Sequence, residues 1–81
     1  QNTEIKLTNK IDVLKLAKYI TDELNIEQQL WFINFQQNIM WEKENNSNIV
    51  IKLEELRKQL LGYVQPRLAW EITLLEINLS N

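Results

Sequence analysis

The sequence predicts an all-α fold, a small bundle of four main helices, and three observations carry that reading. Apolar residues recur at intervals of three and four, not two, through most of the 81 residues. Glycine and proline occur once each, while Leu, Ile, Glu, Lys and Gln are abundant. Apolar residues make up 44% of the chain, enough for one core, and 25% charged residues is too ordinary for a disordered chain. The length fits one domain. The expected organisation is a flexible N-terminal segment over 1–9 and a single helical domain over 10–79.

The first helix is expected from about Lys10 to Leu24. Ile11, Leu14, Ala17 (beside Leu16), Ile20 and Leu24 form its apolar stripe, and Lys15 and Lys18 lie on the solvated side. Asn9 is read as the N-cap, which puts Asp12 at the third helical position, where its charge suits the helix dipole. Asn25-Ile26-Glu27-Gln28 then reads as a capping box. The connection is so short that the first two helices are expected to form a hairpin.

The second helix is expected from Ile26 to about Lys43. Its apolar residues, Leu30, Trp31, Phe32, Ile33, Phe35, Ile39, Met40 and Trp41, cover a wider arc than one neighbour can hide. The helix is therefore either central in the bundle or keeps part of its surface for a partner.

Glu44 to Asn48 is a polar loop, and Ser47 or Asn48 is read as the cap of a third helix over Ile49–Leu61. Its stripe is Ile49, Leu53, Leu56 and Leu60, with Glu54 and Lys58 as an outer i,i+4 pair. Gly62 is expected to end this helix in the left-handed conformation. Pro66 opens a fourth helix that runs to about Asn78. Leu68, Ile72, Leu75 and Leu79 form one stripe and Trp70, Leu74 and Ile77 a second, about 120° away, which implies two packed neighbours.

Composition narrows the chemistry. The chain has no His and no Cys, so it offers no His-based triad, no His- or Cys-ligated zinc and no disulfide. Gly62 alone cannot form a phosphate-cradling loop. The carboxylate pairs Asp22-Glu23 and Glu54-Glu55 read as solvated faces. Neither a catalytic residue, a cofactor nor a metal is expected, and the chain is read as no enzyme. The net charge is −2 and no segment gathers a basic stripe, so no direct nucleic-acid binding is expected. No apolar run approaches the roughly 18 residues of a membrane span, and no signal peptide opens the chain, which points to a cytoplasmic protein without membrane contact. The first residue is Gln rather than Met, which fits a fragment or a processed chain. The sequons at Asn45 and Asn78 are read as chance matches.

Interaction is the remaining class. The three tryptophans are read first as core residues and second as interface anchors, a role in which Trp and Arg are enriched. Arg67 is read as solvated or stacked on Trp70, or as a bidentate partner of a carboxylate, with Glu71 the local candidate. The partner surface is placed at Trp31 and Phe35 on the second helix together with Tyr63, Gln65, Arg67 and Trp70. The competing account is internal, with Trp70 in the core and Arg67 paired to Glu71.

The segment Leu61-Gly62-Tyr63-Val64-Gln65-Pro66-Arg67-Leu68-Ala69-Trp70-Glu71, followed by Leu74-Leu75, resembles the C-terminal end of the delta-prime subunit of the bacterial DNA polymerase III clamp loader. The cyanobacterial form is the most similar. Leu24 to Trp31, Phe35-Gln36-Gln37 and Trp41 fit the same family. The resemblance implies a collar domain of about five helices that joins subunits into a ring, here lacking or shortening its first helix. It implies gamma/tau-like ATPase and delta-like subunits as partners, with self-association of the isolated fragment also open. It carries over no nucleotide site and no arginine finger. A free-standing helical adaptor that binds an amphipathic partner helix is the alternative.

Overall fold

A computed structural model of the chain describes residues 12–43, 45–62 and 64–79. It contains four helices in the order α1 (Val13–Glu23), α2 (Ile26–Glu42), α3 (Ser47–Leu61) and α4 (Pro66–Leu79), with no strand among the described residues. The all-α bundle read from the sequence is therefore the fold.

Local chemistry sets most boundaries. Asn25 Oδ1 accepts from the Gln28 amide at 2.8 Å, and Gln28 Oε1 accepts from the Asn25 amide at 2.9 Å, which completes the capping box. Two N-caps differ from expectation. The cap of α1 is Asp12, not Asn9 (which lies outside the described residues). Asp12 has extended backbone and its side chain accepts from the Lys15 amide, so it stands before the helix rather than at its third position. Asn46, rather than Ser47 or Asn48, caps α3 by accepting from the Ile49 amide at 3.2 Å. The loop before it turns at Asn45, whose φ of 50° suits an asparagine, and the Asn46 amide reaches back to the Met40 carbonyl. Gly62 does not take the left-handed conformation: at φ −99° its amide closes a three-residue turn onto the Gln59 carbonyl.

The packing order is α1 on α4, α4 on α3 and α3 on α2. The expected hairpin of α1 and α2 is thus not a main packing unit. The two helices open away from their short turn, and α2 lies at the edge rather than the centre of the bundle. The core takes Ala17 and Ile20 from α1, Ile33 and Met40 from α2, and Ile49, Leu53, Leu56 and Leu60 from α3, as the third stripe predicts. From α4 it takes Ala69, Trp70, Leu74 and Ile77. The other expected α4 stripe, Leu68, Ile72, Leu75 and Leu79, is exposed, as is Leu14 of α1. One face of α4 meets both α1 and α3, so two neighbours do not require two stripes.

A polar clasp joins α2 to α3. Arg57 Nη2 donates to Asn34 Oδ1 and to Gln37 Oε1, the latter at 2.9 Å, while Gln37 Nε2 donates to the Val50 carbonyl at 3.1 Å. Glu54 consequently pairs with Arg57 at 3.2 Å, not with Lys58 as the i,i+4 spacing suggests.

Candidate interaction surface

The second helix is built inside out by the measure of side-chain hydrophobicity. Its buried residues are Gln29, Ile33, Gln36 and Met40, a four–three–four row. Trp31 and Phe35 stand two residues either side of Ile33, about 200° round the helix, and so point away from the core. Trp31 is 65% exposed, Phe35 41% and Trp41 57%, while Gln29 and Gln36 are 3% and 1% exposed. Burying an amide is costly unless its hydrogen bonds are met, and an exposed indole forgoes its burial energy. Gln29 meets the first condition: its Nε2 donates to the Leu24 carbonyl and its Oε1 accepts from Trp70 Nε1, each at 2.9 Å.

The outward aromatics are ordered against each other. The rings of Trp31 and Phe35 stack with centroids 5.4 Å apart and planes 7° from parallel. Where α1 and α2 diverge, Tyr19, Leu24, Gln28, Trp31 and Phe32 line an open cleft. Leu24 also lines a second cleft, with Gln65, Pro66 and Arg67 on its far wall. The α1–α2 turn therefore places the Trp31–Phe35 pair on one side and Gln65 with Arg67 on the other. Arg67 Nε donates to Glu71 Oε2 at 3.3 Å, the local partner read from the spacing. On α1, the hydrogen bond from Lys18 Nζ holds the Asp22 carboxyl below its ordinary pKa, helped by the charges of Lys18 and Arg67.

Of the six residues placed on the partner surface, Trp31, Phe35, Gln65 and Arg67 are exposed; Trp31 lines the first cleft, Gln65 and Arg67 the second, and Phe35 a further one with Asn38, Ile39, Glu42 and Lys43. Trp70 is fully buried, against Phe32 and Gln29, so its side chain belongs to the core. Tyr63 lies outside the described residues. Tyr19, which also lines the first cleft, is absent from that set, because nothing in the α1 spacing distinguishes it from a solvated position. Among the described residues, no group of three or more acidic side chains stands where it could hold a metal ion. No helix there is long and apolar enough to cross a membrane.

Residues 1–77 match the family model described as the cyanobacterial DNA polymerase III delta prime, C-terminal domain. The chain belongs to that family. The match takes in all of the first three helices and most of α4. As a delta-prime C-terminal domain it is a helical part of its subunit. Neither the comparison with curated proteins nor that with solved structures gives a match.

Proposed function

We propose that this delta-prime C-terminal domain is an oligomerisation module that holds its subunit in the ring of the clamp loader during DNA replication, in the cytoplasm. Its partners are the neighbouring gamma/tau-like ATPase and delta-like subunits, met through helical surfaces and without direct contact to nucleic acid. One observation supports this above the rest: α2 turns Trp31, Phe35 and Trp41 outward while it buries Gln29 and Gln36. A helix that had only to stabilise its own domain would do better with the reverse pattern. Stacked, exposed aromatics are the composition of interface anchors. The surface proposed is Trp31 and Phe35 with Gln65 and Arg67, and Tyr19 beside them.

Competition tests this reading. Excess isolated domain, added before assembly, should lower the yield of clamp loader formed from the full-length subunit and its partners on a sizing column. Unchanged yield at saturating domain would contradict it.

A further inference from the structure

A second apolar surface lies apart from the α2 face. On α4, Leu68, Ile72, Leu75 and Leu79 are all about half exposed or more, and their four–three–four spacing aligns them along one side of the helix. Val13 and Leu14 of α1, with Asp12 at their end, border an open groove against Leu68, Ile72 and Leu75. A seam with this spacing is the complement of another helix, since a strand presents side chains at intervals of two.

The charges beside the seam select the kind of helix. Glu71 flanks it on one side and Glu76 on the other, one residue from Ile72 and Leu75 respectively, and Asp12 stands at the groove's mouth. From Leu68 to Leu79 there is no Lys or Arg. Arg67 precedes the seam and is paired to Glu71. A second copy packed seam to seam would set these glutamates against the same glutamates, and like charges across such a seam oppose pairing. We infer that the α1–α4 groove docks an amphipathic helix of a different protein, one whose apolar seam is flanked by Lys or Arg. The inference does not rest on the ring reading, because it uses neither Trp31, Phe35 nor Gln65.

The test uses the whole chain and two labelled synthetic peptides, each of two heptads and so too short to pair stably with itself. Both carry Leu and Ile at the seam positions; one carries Lys at the flanking positions and the other Glu. Fluorescence anisotropy should show saturable binding of the Lys-flanked peptide and binding of the Glu-flanked one weaker by about tenfold or more. Ile72→Ser should abolish that binding with an unchanged circular dichroism melt, and Glu76→Lys should narrow the difference between the peptides. Equal binding of both peptides, or no saturation with either, would overturn the inference. So would a dimer of the chain that Ile72→Ser disperses, which would make the occupant a second copy. Binding that emerges only after removal of residues 1–11 would also overturn it, in favour of the chain's own N-terminal segment.

Discussion

Trp70 Nε1 donates to Gln29 Oε1 at 2.9 Å, and both side chains are buried. The same Gln29 donates its Nε2 to the carbonyl of Leu24, the residue that ends α1. One amide therefore ties α2 to α4 and to the end of α1, although α2 and α4 do not form a main packing pair. Gln29→Leu keeps the volume but orphans a buried indole N–H and a helix-end carbonyl. It should destabilise the domain by about 1–3 kcal/mol, measured by urea unfolding. A neutral result would mean that water or a rotated Trp70 replaces the bond.

Leu56 is fully buried at the centre of the α3 stripe. Leu56→Ala should cost about 2–5 kcal/mol, from lost burial and the cavity left behind. Thermal unfolding followed by circular dichroism checks it, and a loss well below 1 kcal/mol would mean that the α3 facing is wrong.

Arg67 has half of its side chain in water, and its bond to Glu71 is an exposed helix pair. Arg67→Ala should change stability by about 0–1 kcal/mol. If Arg67 serves the partner surface, the same change should weaken assembly with other clamp-loader subunits by about 1 kcal/mol or more. Titration calorimetry of the subunits, beside the melt of the variant, separates the two effects.

Asp22 gives a pH dependence of known sign. Its carboxyl is held below the ordinary value of 3.8, first by the hydrogen bond from Lys18 and then by the charges of Lys18 and Arg67. A depressed folded-state pKa contributes stability above the unfolded value, and that contribution disappears as pH falls through the folded one. Carbon-13 titration of the Asp22 carboxyl should show a midpoint below 3.8 in the parent chain and a return towards 3.8 in Lys18→Met. The same midpoint in both would remove Lys18 as the cause.

What the sequence makes legible is local. The Asn25–Gln28 capping box, Pro66 at the start of α4 and the Ile49–Leu60 stripe all depend on residues within a turn or two of each other. What it hides depends on distant partners. Gln29 can be buried only because Trp70, 41 residues on, donates a hydrogen bond to it. Nothing in the periodicity of α2 shows that two glutamines displace two tryptophans from the core. Arg57 is drawn to Asn34 and Gln37 on α2, and this moves Glu54 away from Lys58. In α4 both stripes are equally apolar by spacing, and the choice between them falls to Trp70, whose indole finds its acceptor only on α2. Trp31, Phe35, Gln65 and Arg67 are exposed, but the place of Tyr19 on the first cleft and the burial of Trp70 follow only from the tertiary arrangement.

The central claim is that the outward aromatic face of α2 serves assembly rather than folding, and the double variant Trp31→Ser/Phe35→Ser tests it most directly. In the isolated domain it should cost no more than about 2 kcal/mol, because Trp31 is 65% and Phe35 41% exposed, so that part of one ring's burial and their mutual stacking are lost. In the full-length subunit it should weaken assembly with gamma/tau-like and delta-like subunits by about 2 kcal/mol or more, as the loss of two anchor residues does, read by sedimentation velocity across a concentration series. Assembly at unchanged affinity, with the variant folded, would contradict the account.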